Sequence, residues 1–154
     1  IEEQMHQHVH QAPELDRDIQ LLSTIYGVGF ITAVTIRTEL GDLRRFDRAR
    51  QLTAYAGLNP SLRQSGSSIH GRAHMNKKGN PRVRQCLYLA AMVAIRGTND
   101  LQRTYRQLRE QGKSAMAALG AIMRKLLVLM RAILISGKPY DPLWKTRTKR
   151  TQNA

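Results

Sequence analysis

The chain has 154 residues, with 25 Lys and Arg against 11 Asp and Glu and a formal net charge of +14. That length suffices for one domain with its own core, and that charge points to a polyanionic partner. Its single cysteine, Cys86, excludes an internal disulfide framework and a cysteine-rich zinc site, and fits a reducing cytoplasm. The charge is also unevenly placed. Residues 1–60 hold six Lys or Arg against eight Asp or Glu, a balance of −2, whereas residues 61–154 hold nineteen against three, a balance of +16. Such asymmetry is the electrostatic footprint expected of a polyanion binder, because each phosphate contact releases condensed counterions. A basic ribosome-type or membrane-surface protein is the bland alternative. Aromatic residues are few and scattered, which argues against recognition of single strands by stacking.

Residues 1–12 read as the end of a polar helix and, with no capping residue ahead of them, as the end of a helical linker from a preceding domain. Its Ile1–Gln11 stretch is expected to be an arm with few contacts. His6 and His10 sit at i,i+4, a spacing that can hold a metal on one helical face, but no Cys or third ligand stands near and solvated histidines are the plainer reading. The N-terminus is too polar for a signal peptide. From Pro13 a second helix begins, with Glu14, Asp16 and Asp18 suited to its N-terminal dipole and Leu15, Ile19 and Leu22 forming an apolar stripe. A Gly27-Val28-Gly29 turn follows, then an apolar helix ending at Leu40-Gly41. A dinucleotide fingerprint needs a strand before such glycines, and the preceding stretch is helical.

Asp47 is placed to cap a helix over residues 48–56, with Ala49, Leu52, Thr53 and Ala56 inward and Arg44, Arg45, Arg48 and Arg50 crowded at one end. Next comes a basic, serine-rich stretch without apolar periodicity, bounded by Gly57-Leu58-Asn59-Pro60 and Gly79-Asn80-Pro81. A structureless stretch of roughly twenty residues inside a compact domain is usually functional or disordered, and pinning at both ends favours function. Helices over 81–96 and 101–111 follow. Val83, Leu87, Ala90, Ala91 and Ala94 face inward in the first, and Cys86 is expected to behave as a small buried hydrophobe. Arg82 and Arg84 oppose the dipole at its start, which makes sense if an anion lies there. The longest helix, 113–135, is expected to be the core helix, with Met116, Leu119, Ile122, Met123, Leu126, Leu127, Met130, Ile133 and Leu134 buried. Arg124, Lys125 and Arg131 interrupt it and disfavour a membrane span. Tyr140 to Trp144 are placed to pack back, and residues 145–154 form a basic tail expected to be disordered.

The turn at Gly27 and Gly29 resembles a helix-hairpin-helix (about residues 14–40), whose glycines permit a tight turn and whose second helix offers bare amides to a DNA phosphate. A longer series resembles one family. It runs through Gly27-Val28-Gly29, Leu40-Gly41-Asp42, residues 51–58 (QLTAYAGL), Gln64-Ser65-Gly66, Lys78-Gly79-Asn80 with Arg82 and Arg84, and the Met123-Arg124-Lys125-Leu126-Leu127 helix. This is similar to the C-terminal transposase domain of the DEDD-type insertion-sequence transposases, the IS-one-ten family of bridge-RNA-guided serine recombinases. The resemblance implies a mainly α domain over residues 13–144 containing a helix-hairpin-helix and a long basic loop. It also implies a separate RNase-H-like domain, with an Asp-Glu-Asp-Asp site for Mg2+, that is missing from these residues. DNA, a guide RNA and further copies of the protein, as dimers or tetramers, would be its partners, in a bacterial or archaeal cytoplasm at the nucleoid.

The position matching the family's nucleophilic serine is Ser65. Read without the family, Ser65, Ser67, Ser61 and Ser68 all remain open as ordinary loop serines, and Tyr55 and Tyr88 are rival nucleophiles in helical, packed-looking positions. Arg63, His70, Arg72, Lys77, Lys78, Arg82 and Arg84 are close enough in sequence to surround a phosphate with positive charge. Residues 61–154 hold only three spaced carboxylates, so no metal site is expected in this chain and no cofactor of its own. The alternative is a non-enzymatic helix-hairpin-helix module in which every loop serine is dispensable.

Overall fold

Helix packing around one long, apolar segment organises the chain. A computed structural model describes residues 1–61, 74–75 and 79–142. Among them are seven α-helices: α1 Glu2–His10, α2 Pro13–Leu22, α3 Phe30–Leu40, α4 Ala49–Tyr55, α5 Pro81–Ala94, α6 Asp100–Glu110 and α7 Ala115–Ser136. A 3-10 turn, Leu43–Arg45, joins α3 to α4. Two short strands, β1 Pro60–Ser61 and β2 His74–Met75, pair antiparallel, with Pro60 opposite Met75 and Ser61 opposite His74. The chain is thus mainly helical, as its periodicity predicts. The tail from residue 145 lies outside the described residues.

The sequence of α7 explains its length. Ala, Leu and Met, strong helix formers, fill it. Ser114 accepts a hydrogen bond from the Ala117 amide at 3.1 Å to open it, and Gly137, in the left-handed region at φ 67°, closes it. Helices α2, α4, α5 and α6 all pack on α7, so Ile122, Leu126, Leu127 and Met130 are fully buried. Each such side chain contributes about 1.5–3 kcal/mol on removal from water. Met116 departs from the expected stripe. It lies in the first turn, beyond the covering helices, and is 68% exposed.

In α5 the small residues face inward as predicted: Val83, Leu87, Ala90, Ala91 and Ala94 are all buried. Ala90 and Ala94 let the α2–α3 turn approach closely. Cys86 is half-buried, its thiol donating to the Val83 carbonyl at 3.3 Å, and burial pushes its pKa from 9.0 to about 11. Only the thiolate is nucleophilic. Alkylation by iodoacetamide at pH 8 is therefore expected to run about 100-fold slower in the native chain than in urea. Equal rates would place Cys86 outside the apolar packing.

Three expectations about local structure are corrected. The α1 helix is more than an arm, because Val9 is buried, Met5 packs against the core and the His6 ring stacks on Phe30 at 3.5 Å between centroids. Asp47 does not cap α4. Arg48 holds that position, its amide donating to Gln51 Oε1 at 3.2 Å. Tyr55 and Tyr88 do lie in helices, but on their outer faces, 56% and 37% exposed.

Asp18, expected to suit the helix dipole, is in fact buried. Its carboxylate accepts from Arg37 Nε at 3.0 Å and Arg44 Nη1 at 3.1 Å, while Arg44 also donates to Asp42 and to the Leu134 carbonyl at 3.1 Å. One guanidinium thereby stitches α2, the 3-10 turn and the end of α7 together. Burial pushes the Asp18 carboxyl up, but the bonds from Arg44 and Arg37 outweigh it and its pKa falls below 3.8. A depressed carboxylate stabilises the fold above its unfolded pKa, so this contribution is intact at neutral pH and disappears as pH falls through the folded value.

Candidate nucleic-acid interface

Two places hold the described candidate residues. The first is the α2–α3 turn. After α2, Ser23 and Thr24 bend the chain, each hydroxyl donating to a carbonyl of the preceding turn, and Gly27 takes φ 81°. A Cβ on Gly27 would stand 2.4 Å from the Ala90 carbonyl oxygen, so glycine is required there by both angle and space. Gly29 differs from the sequence reading. Its backbone is extended at φ −92°, ψ −175°, and a Cβ there would meet nothing within 4 Å. Neither the backbone angle nor the local packing therefore requires glycine at that position. It opens α3 without a side-chain cap, leaving the first α3 amides facing outward from the helix end.

The second place is the pair of roots from which the basic segment springs. At the first root Leu58 is fully buried, its amide bonded to the Thr53 carbonyl at 2.9 Å. Arg124 of α7 reaches the Leu58 carbonyl at 3.2 Å, and burial lowers the Arg124 pKa. At the second root Gly79 lies so close to α4 that a Cβ would fall 2.2 Å from the Ala56 carbonyl oxygen. Asn80 then caps α5, its Oδ1 accepting from the Arg82 amide at 2.9 Å and the Val83 amide at 3.4 Å. The Asn80 side-chain nitrogen is not idle. It donates to Glu39 Oε2 of α3 at 2.6 Å, and Arg82 Nη1 pairs with Glu39 Oε1 at 3.1 Å. Bonds from Asn80 and then Arg82 hold the Glu39 carboxyl below its ordinary 4.5.

The anion expected near Arg82 is thus supplied, in the free chain, by Glu39. Arg82 remains largely exposed on its outer side, whereas Arg84 is half-buried and borders a groove of about 760 Å3 between α5 and α7. The structure does not bring all four described candidates together. Gly27 packs at Ala90, near the far end of α5, and Glu39 reaches Asn80 at its start. The length of α3, 11 residues or about 16.5 Å at 1.5 Å per residue, therefore separates Gly29 from Arg82. Ser65, Arg63, Arg72, Lys77 and Lys78 lie outside the described residues, as do Ser67, Ser68 and His70.

Sequence reasoning missed Glu39, Arg124 and the Asp18 cluster. No short-range pattern marks them, because their partners stand 41, 66 and 26 residues away. Among the described residues, no group of three or more His, Cys, Asp and Glu side chains could hold a metal. His6 stacks on Phe30, whereas His10 is exposed and bonds to Asp16 at 3.3 Å. Among the described residues, no helix is long and apolar enough to cross a membrane.

Among the described residues, α3, α4, α5 and α7 hold the two ends of the basic stretch within a mainly helical domain. The family model of the IS116/IS110/IS902 transposases matches residues 19–107, more than half of the chain, and the chain belongs to that family. It is 32% identical over 142 residues to the pilin gene-inverting protein of Moraxella bovis, covering 92% of this chain and 44% of that protein. It is 31% identical over 121 residues to the insertion element IS110 43.6 kDa protein of Streptomyces coelicolor, 79% of this chain and 30% of that one. A transposase of insertion sequence element IS1111A from Coxiella burnetii is 32% identical over 103 residues, 54% of this chain and 28% of its own length. The chain thus spans less than half the length of each.

Proposed function

We propose that this chain is the DNA-binding, nucleophile-bearing part of a DEDD-type insertion-sequence transposase, with Ser65 as the attacking residue. The observation that carries the reading is the family match over residues 19–107, which runs from the glycine turn through both roots and the whole basic segment between them. The +16 balance of residues 61–154 supports a polyanionic partner. The α2–α3 unit acts as a helix-hairpin-helix, gripping duplex backbone through the α3 amides without reading bases.

In the reaction, the Ser65 hydroxyl loses its proton as Oγ bonds to a DNA phosphorus. One phosphorus–oxygen bond to deoxyribose breaks, and the released sugar hydroxyl takes a proton. The phosphoserine ester conserves the bond, so rejoining by another strand's hydroxyl needs no external energy source. Arg63, Arg72, Lys77, Lys78, Arg82 and Arg84 supply positive charge around that phosphate. The described donor set does not fit a magnesium ion, since Asp18, Glu39 and Asp42 are each engaged by arginine. In this reading Mg2+ belongs to an acidic RNase-H-like domain elsewhere in the protein, and a bridge RNA and further copies, as dimers or tetramers, complete the assembly.

The test is covalent capture. A transposition-competent protein carrying this chain is incubated with an end-labelled, nicked DNA substrate that cannot be rejoined, then denatured. A detergent-stable protein–DNA adduct on the peptide containing Ser65 is expected. Strand exchange without any such adduct would remove serine chemistry from the proposal.

A further inference from the structure

We propose that Glu39 and Asn80 are positioning residues for the serine attack, acting as a polar tether that fixes the second root of the Ser65-bearing segment. This inference rests on the reading of Ser65 given above. Asn80 does two separable jobs. Its oxygen caps α5 through the Arg82 and Val83 amides, and its nitrogen reaches across to Glu39 Oε2 at 2.6 Å. Capping alone needs only the oxygen, and Ser, Thr or Asp would provide it. Asn is the strong cap that also carries two spare donors. Glu39, in the last turn of α3, is placed to use one of them and to pair with Arg82 through its other oxygen.

The tether does not stand alone. Immediately before Asn80, Gly79 is pressed against the Ala56 carbonyl and the Gly57 Cα with no room for a Cβ. At the first root, Arg124 of α7 grips the Leu58 carbonyl, and Pro60–Ser61 pairs antiparallel with His74–Met75. Helices α3, α4 and α7 therefore hold the two ends of one segment. A solvent-reached polar tether adds little to overall stability. What it fixes is direction, and reaction rates are steeply sensitive to placement, with a 1 Å error costing on the order of 100-fold.

The two jobs of Asn80 can be pulled apart experimentally. Asn80→Asp keeps the capping oxygen, removes the donor and sets two carboxylates against each other. Glu39→Gln keeps an acceptor for Asn80 while giving up the charge facing Arg82. The double variant, Glu39→Gln with Asn80→Asp, exchanges donor and acceptor and restores both the bond and the wild-type net charge.

Strand exchange is measured in single turnover at saturating DNA, alongside melting temperature, in the transposition-competent protein carrying each change. Asn80→Asp is expected to slow exchange by about 10- to 100-fold with its melting temperature and DNA retention close to wild type. Glu39→Gln, which keeps the acceptor for Asn80 but loses the charge facing Arg82, should slow exchange less than Asn80→Asp, and the double variant should recover to the Glu39→Gln rate. Wild-type rates in Asn80→Asp, or a double variant no faster than Asn80→Asp, overturn the tether. Should Asn80→Asp melt early, the double variant decides by the same criterion. Ser65→Ala run in parallel separates the two levels. Exchange that survives it overturns the serine reading and the tether with it. Exchange that it abolishes while Asn80→Asp proceeds normally overturns the tether alone.

Discussion

Replacing Ser65 with Ala is expected to abolish strand exchange, by on the order of 1,000-fold or more, while leaving DNA binding intact. The size follows from the role, because a covalent mechanism has no route around a missing nucleophile and only residual binding effects survive. The selectivity follows from charge. A serine hydroxyl releases no counterions, so its loss should leave the slope of log affinity against log salt unchanged. Arg82→Ala, which removes one exposed cation, should instead shift that slope by about one. The substitution also separates Ser65 from its neighbours, since Ser61→Ala, Ser67→Ala and Ser68→Ala should each retain the adduct and the exchange. Normal exchange by Ser65→Ala would transfer the role to another residue or leave a binding module without chemistry of its own.

Much of the architecture was legible because it is local. The 3.6-residue stripes of α5 and α7, the Pro81 start and the Gly137 stop are short-range signals, and their helices stand where those signals place them. The same logic misplaced Asp18. A carboxylate in the first two turns fits the dipole rule, and nothing within a few residues announces Arg37 and Arg44, which arrive 19 and 26 positions later. Arg124 and Arg131 carried a similar ambiguity. As charges within an apolar helix they argued rightly against a membrane span, yet their work is to bond carbonyls of Leu58, Phe46 and Asp47 at the edges of the core. Arg45, one of the arginines crowded at the start of α4, likewise turns to the protein, its guanidinium lying 4.3 Å over the Phe46 ring. For the candidate site, glycine and loop chemistry located the ends of the basic segment, while the groups that hold those ends came from distant helices and carried no local mark.

The two glycines of the α2–α3 turn give the second large effect, and they should part company. Gly27→Ala must place a Cβ 2.4 Å from the Ala90 carbonyl oxygen and 3.2 Å from the Ala94 amide nitrogen at a φ of 81°. A left-handed alanine costs about 1–2 kcal/mol and forcing atoms into packed backbone about 1–3 kcal/mol more. The total, about 2–5 kcal/mol, should lower the melting temperature by roughly 5–15 °C for a chain of this size, and any loss of DNA binding would follow from unfolding. Gly29→Ala meets no neighbour within 4 Å and sits in extended backbone, so its melting temperature should fall by no more than a few degrees. If a phosphate docks on the α3 amides, the added methyl group stands in its path, and duplex affinity should drop several-fold while the fold stays intact. Thermal melts and electrophoretic retention of a labelled duplex, run on both variants, read the two effects separately. Unchanged retention by a fully folded Gly29→Ala would mean that phosphates do not approach the start of α3, and the glycine pair would then be a device for packing the turn onto α5.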